Sequence, residues 1–325
     1  ITDVFRPIAN EIRTDKLGNI IAKLNGDGAG PHPKIMLAGH MDEIGLMVQK
    51  IDDHGFIKFA TVGGFDQRTL LSQEVIVHGR RDLIGIIGAK PPHLQKPSDR
   101  DKAVKREDMV IDIGMSGPEA REMIEVGDLI TIRRRMAELK GDWLASKAMD
   151  DRAGVAVIYE CFLELRKLRH AADVYGVATV QEEVGMRGAT TSTYGICPEI
   201  GIAIDVCHGD MPGVSEMDTA PVGKGPAIAL GPNIHPKVYE RLCKIAQEYG
   251  IGFQSDPSPG GTGTDAWAMQ ITQAGIATGV VSIPLRYMHT SVETLSLGDV
   301  KKAGRLLAHF IASIDSEFVG GLVCC

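Results

Sequence analysis

The stretch MDDRAGVAVIYECFLELRKLRHAADVYGVATVQEEVG, residues 149–185, decides the fold. Its first half sets Val155, Ile158, Phe162, Leu165 and Leu168 at helical spacing, so a helix with one apolar stripe is expected over Asp151–His170. Its second half, VYGVATVQ (174–181), is a continuous apolar run and reads as a strand buried on both faces. That run stops on Glu182-Glu183. An acidic pair just past a buried strand fits an open α/β sheet, whose sites gather at the carboxyl ends of its strands.

Working outward, the same texture recurs on both sides. Toward the C-terminus come IGIAIDV (200–206), a helical stripe of Val238, Leu242, Ile245 and Tyr249, and TGVVSIP (278–284). A last amphipathic helix starts at the cap Ser296 and carries Val300, Leu306, Leu307, Phe310 and Ile314. Toward the N-terminus, KIMLAGHMDEIGLMVQK (34–50) reads as a buried strand, a polar break and a second apolar run. Between residues 51 and 144 the texture differs. Short β-like runs such as GFIKFATVGG, EVIVHG, LIGIIGA, MVIDIGM and GDLITIRR alternate with glycine turns, which predicts a small all-β unit. Residues 91–108, rich in proline and charge, read as an exposed loop. The expected fold class is α/β, a sheet sandwiched by helices, built from residues 1–50 and 145–325 and interrupted by a β-rich insert, 51–144.

Composition narrows the function. The 325 residues carry 35 Lys and Arg against 42 Asp and Glu, a formal net charge of −7, so the overall field repels nucleic acid and anionic membranes. No apolar run approaches the ~20 residues of a membrane span, and the start lacks the profile of a signal peptide. Cys161, Cys197, Cys207, Cys243, Cys324 and Cys325 form no CxxC spacing, which argues for a reduced, cytoplasmic protein without a cysteine zinc site.

The residues with chemistry to offer stand where buried strands end. They are His40 and Asp42 after IMLA, Asp150 and Asp151 before the long helix, and Glu182 and Glu183 after VYGVATV. Asp205 lies inside IAIDV and His289 follows VVSIP. Taken singly each has a bland reading: a lone strand-end histidine is usually a satisfied polar group, and paired acids are usually solvated. Asp205 is the hardest to explain that way, because Asp is depleted in strands. Together they would bury so much charge that a counter-ion is needed. Two histidines and several carboxylates without thiolates suit divalent zinc, cobalt or manganese, and divide better between two ions than around one. A glycosidase carboxylate pair would leave both histidines and Asp205 without a role. No GxSxG elbow or P-loop lysine is present. His54, His78, His170 and His309 lack such company and read as structural or surface residues.

The motifs AGHMDEIG, KAMDDRAG, VQEEVGMRGA, IAIDV, GGTGTDA and IPLRYMHTSVET occur in this order. The set resembles the dinuclear metallo-aminopeptidases that form tetrahedral particles, the glutamyl/deblocking aminopeptidases of metallopeptidase family forty-two, some members of which carry an endoglucanase label. The resemblance runs from about Thr14 to Ala312 and implies a zinc-exopeptidase-like fold with a β-barrel-like inserted domain that serves dimerisation and assembly. It also implies a further helix ahead of Ile1. It implies two divalent ions per subunit, zinc or cobalt. His40 and Asp205 would be terminal ligands of one, Glu183 and His289 of the other, and Asp150 would bridge them. Glu182 would be the general base, Asp42 the orienting partner of His40, and the Asp150–Asp151 peptide bond would be cis. His208 receives no catalytic role. The implied activity is removal of N-terminal residues from peptides, by a homo-oligomer, a tetrahedral dodecamer built from dimers. Another amide hydrolase on the same fold, such as a deacylase, and a non-catalytic peptide-binding protein are the alternatives.

Overall fold

The computed structural model describes residues 1–28, 31–99 and 102–323. Cys324 and Cys325 lie outside these, as do residues 100 and 101 of the expected 91–108 loop; the four described cysteines are free thiols. A short helix α1 (Thr2–Phe5) precedes β1 (Glu11–Thr14), β2 (Ile20–Leu24) and β3 (Lys34–His40). There follow β4 (Gly45–Ile51), β5 (Ile57–Val62), β6 (Glu74–His78), β7 (Asp82–Ala89), β8 (Met109–Asp112), α2 (Gly117–Met123) and β9 (Leu129–Ile132). Strands β10 (Ala137–Glu138) and β11 (Trp143–Ser146) lead into α3 (Met149–Leu165), β12 (Asp173–Thr179), α4 (Arg187–Ile196) and β13 (Ile200–His208). The rest is β14 (Ala227–Leu230), α5 (Pro236–Glu248), β15 (Gln254–Pro257), α6 (Asp265–Gln270), β16 (Ala277–Leu285), β17 (Glu293–Ser296), α7 (Leu297–Ala312) and α8 (Ser316–Gly320).

The main sheet has eight strands in the order β1-β2-β12-β3-β13-β16-β14-β15. Its centre, β12-β3-β13-β16, is parallel throughout. Alternation along β3 explains why these strands are apolar without interruption: Ile35 and Leu37 join the core beneath α3, α5 and α7, while Met36 and Ala38 join the core beneath α4 and α6. Both faces are buried. Helix α3 begins at Met149 and stops at Leu165, so it covers less than the stripe predicts; Leu168 packs on the same core from the turn that follows.

The β-rich stretch closes into a six-stranded barrel, β4-β5-β8-β7-β6-β9, with β9 pairing back on β4. Its interior is filled by Leu46, Val48, Ile57, Phe59, Val75, Val77, Ile87, Ile111 and Ile130. The chain enters the barrel at Gly45, ahead of the boundary at residue 50 drawn from texture. The polar break Met41-Asp42-Glu43-Ile44 makes the crossing, and the apolar run after it is a barrel strand. Among the described residues, no helix is long and apolar enough to cross a membrane.

Candidate metal centre

The parallel strands deliver the ionisable residues to one edge. His40 is the last residue of β3 and lies in register with Thr179, the last of β12, so Glu182 and Glu183 emerge beside it. Asp205 sits near the end of β13. Asp150 is the second residue of α3 and is joined to Asp151 by a cis peptide bond, in agreement with the expectation. His289 follows β16. Left-handed backbone conformations cluster around these positions: Ala148 (φ 58°), Gln181 (φ 59°), Tyr287 (φ 60°) and His289 (φ 60°). Non-glycine residues adopt that region at a cost, and such sites concentrate where function fixes the geometry.

Two groups of ligand-type atoms result. His40, Asp150 and Asp205 form one, and Asp150, Glu183 and His289 the other, with the atoms of each group all within 4.8 Å of one another. Asp150 belongs to both. Its Oδ1 lies 3.1 Å from His40 Nε2 and its Oδ2 lies 3.1 Å from His289 Nε2. His289 Nε2 is 3.5 Å from Glu183 Oε1. Glu182 stays outside both groups, with Oε2 3.9 Å from His40 Nε2.

A second layer holds this arrangement. His40 Nδ1 donates to the backbone carbonyl of Asp42 at 3.2 Å, while the Asp42 carboxylate is farther, at 3.6 Å. A carbonyl can only accept, so that bond puts a proton on Nδ1 and leaves Nε2 as the nitrogen facing Asp150. The Asp42 carboxylate instead accepts the backbone N–H groups of Glu182 (3.2 Å) and Glu183 (3.3 Å). Asp42 therefore orients His40 chiefly through its main chain and orients the acidic pair through its side chain. Asp151, fully buried, turns away from the clusters: its Oδ2 accepts the N–H of His40 at 3.1 Å and its Oδ1 that of Gly154 at 2.9 Å.

Two participants carry no assignment from the sequence. Glu293 accepts the N–H groups of Met149 (2.8 Å) and His289 (2.9 Å) as well as that of Asp150. Its signal was its place in IPLRYMHTSVET, four residues after His289. Asp265, in GGTGTDA, is buried with Thr179 Oγ1 donating to its Oδ2 at 2.5 Å, and its Oδ1 has no partner among the described residues.

The electrostatics call for a cation. Burial pushes the carboxyls of Asp205 and Asp151 well above the ordinary range, and pushes Glu182 up to about 8, aided by Asp265, Glu183 and Asp150. Burial alone would lower His40, but its hydrogen bonds to Asp150 and Asp42 overcome this and raise it well above its usual value. Hydrogen bonds to Asp150 and Glu183 lift His289 to about 10. Each of these shifts favours holding a proton, the positive charge that crowded, buried carboxylates demand. Among the described residues, the ion pairs of Asp150, Glu182 and Glu183 are all to His40 and His289, and the nearby Lys147 and Arg152 are engaged by Glu43. Divalent cations bind deprotonated ligands and would replace those protons, and nitrogen and oxygen donors without thiolate suit zinc or cobalt. The donor set fits.

The centre opens into a cavity of about 830 Å³. From the ligand groups it runs along the ends of β13 and β16 to β15 and the Glu216–Ala220 segment. His208, exposed, lines it but stands in neither ligand group.

The family model described as M42 glutamyl aminopeptidase matches residues 18–306. The chain is 38% identical over 310 residues to a lysyl aminopeptidase of Pyrococcus furiosus, across 94% of this chain and 88% of that relative. It superimposes on a TET aminopeptidase from a marine sediment thaumarchaeon with a TM-score of 0.93 and 35% identity, covering 99% of this chain and 92% of that one. A TET1 peptidase of Pyrococcus horikoshii, described as able to assemble into a tetrahedron or a large octahedral shell, gives a TM-score of 0.83 at 32% identity, covering 96% and 92%.

Proposed function

Because the chain belongs to the M42 glutamyl aminopeptidase family and is thus an aminopeptidase, we propose that it removes N-terminal residues from peptides with two divalent ions, zinc or cobalt. His40 and Asp205 would hold one ion, Glu183 and His289 the other, and Asp150 both. The observation that carries this reading is the division of the Asp150 carboxylate, one oxygen toward each histidine at 3.1 Å. When bound, the ions supply a water of lowered pKa and polarise the scissile carbonyl.

The chain's own residues do the rest. Glu182 is the general base, because it lies beside the ligand groups yet belongs to neither, which leaves its lone pairs free. Burial and the surrounding acids favour its taking up a proton, and it then returns that proton to the departing amine. Asp42 sets the tautomer of His40 and the placement of Glu182 with one residue. The cavity, about 830 Å³, is roomy enough for a substrate end.

Chemistry is assigned to residues 1–50 and 145–325, and subunit contacts to the insert, 51–144. Support for the second assignment comes from Ile84, Ile86 and Leu129, which are 58%, 47% and 55% exposed on the barrel's outer surface. A tetrahedral dodecamer built from dimers is the assembly proposed, and a cytoplasmic location is proposed from six sparse cysteines without CxxC spacing.

The test is hydrolysis of aminoacyl amides by the purified chain before chelation, after exhaustive chelation, and after addition of zinc or cobalt. Activity should vanish and return. Full activity in protein proven metal-free by elemental analysis would overturn the reading, and cleavage of N-acyl amino acids alone would favour a deacylase.

A further inference from the structure

The strand order places an acidic wall at a defined distance from the ligand groups. Strands β13, β16, β14 and β15 are consecutive in the sheet. Asp205 on β13 is in register with Ser282 on β16, Ser282 with Ala227 on β14, and Ala229, two residues on, with Asp256 on β15. Asp205, Ser282, Ala229 and Asp256 all line the one cavity. Three strand spacings separate β13 from β15, about 14 Å between backbones. The floor between them is made of small side chains, Ser282 and Ala229, so the span is open. A substrate with its amino end at the metal ligands would need a long side chain to cross it.

What waits at the far side is negative. Asp256 is half-buried and, among the described residues, its carboxylate has no hydrogen bond and no ion pair. Burial raises its carboxyl pKa, and His208, on the same cavity wall, pulls the other way. Glu216 and Asp218 stand on the same rim, and among the described residues no lysine or arginine lines the cavity, where His208 is the one basic side chain outside the ligand groups. Two bound dications would offset the charge of the ligand carboxylates but leave these three acids uncompensated. An unpaired, partly desolvated carboxylate gains most from a cation that brings its own charge.

We propose that Asp256, with Glu216 and Asp218 at the rim, selects substrates whose N-terminal side chain is long and cationic, lysine or arginine, over acidic ones. This rests on the metal-dependent aminopeptidase reading above and adds to it the substrate class. A glutamyl side chain would meet the same wall with like charge, which costs affinity where a cation gains it.

The test is kcat/KM of the metal-loaded full chain on Lys-, Arg-, Leu-, Ala- and Glu-p-nitroanilides. Lys and Arg should exceed Glu by at least about tenfold, the effect of one charge-assisted hydrogen bond at a half-buried site. Asp256→Asn should lower the Lys-to-Leu ratio by about tenfold, and Asp256→Lys should raise Glu relative to Lys. Asp218→Asn, on an exposed segment, should lower the Lys-to-Leu ratio about two- to fivefold, and decides the matter should the Asp256 variants not fold. Equal or better cleavage of Glu by the unaltered chain, or ratios that the folded variants do not move, would overturn the proposal. Hydrolysis of Leu and Ala without a preference for Lys or Arg sinks this inference alone. Failure to cleave any of the five sinks the aminopeptidase reading and this inference with it.

Discussion

Glu293 holds Asp150 by its main chain: the buried Glu293 Oε2 accepts the Asp150 N–H at 3.2 Å across 143 positions of sequence. Its other oxygen takes the N–H of His289. One carboxylate therefore anchors the backbone of Asp150, the ligand proposed to be shared, and of His289, proposed to bind beside it. Residues that orient ligands in this way typically contribute 10- to 100-fold in metal affinity. Glu293→Ala should weaken metal binding by about that factor and reduce activity at limiting metal, with partial recovery when metal is in excess. Competition against a chelator of known affinity measures it; wild-type affinity in the variant would remove Glu293 from the site.

The proposed division of the acidic pair into a base and a ligand can be tested by substitution. Glu182→Gln keeps the side chain's shape but cannot take a proton from water, so kcat should fall by about 10²–10⁴-fold with metal content and KM little changed. Glu183→Gln should lose metal together with activity. The two purified variants are compared by metal stoichiometry beside rate. Metal lost from the first and retained by the second would reverse the roles, and two active variants would end the assignment.

Gly154 lies one turn into α3, where an added Cβ would sit on the Asp151 carboxylate. That carboxylate holds the N–H of His40 and of Gly154 itself. Gly154→Ala should therefore destabilise the fold by about 1–3 kcal/mol, as overpacking does, and displace His40 as well. Thermal unfolding of the metal-free protein and a metal titration read the two effects. A variant as stable as the parent, with the same metal affinity, would show that Asp151 gives way freely.

On the barrel, Ile84 and Ile86 project outward from β7, two residues apart on one face. Replacing both with lysine should leave the folded chain within about 0.5 kcal/mol of its parent, since exposed positions contribute little to stability. Particle mass by light scattering should drop. An unchanged mass would clear this face of any part in assembly.

Much of this arrangement was legible because parallel sheets deliver their strand ends to one edge. His40, Glu182, Glu183 and Asp205 each close or follow an apolar run, and the order of those runs is enough to bring them together. Asp150 and His289 precede a helix and follow a strand at the same edge. What escaped notice works through the main chain. Glu293, which carried no assignment, and Asp151, which carried no such role, accept backbone N–H groups from residues far off in sequence, and a place within a motif does not say which distant N–H a carboxylate will take. The entry into the barrel at Gly45 was masked for a related reason: β3 and β4 are both apolar, and only pairing partners distinguish a sheet strand from a barrel strand.

Strand β15 is four residues long, ends in Pro257 and pairs only with β14, at the outer margin of the sheet. Margins of this kind are guarded against joining other chains by being short and by carrying proline and charge. They are also forgiving. A substitution at Asp205 strikes a strand hemmed in on both sides at the centre of the molecule, whereas one at Asp256 disturbs a strand with a single neighbour. On the roles proposed for Asp205 and Asp256, the scaffold separates what must stay fixed from what can drift, with the machinery on the spine and the fitting for the substrate on the hem. A laboratory seeking to retarget the cavity should diversify β15 first, where each change spends the least of the protein's narrow margin of stability.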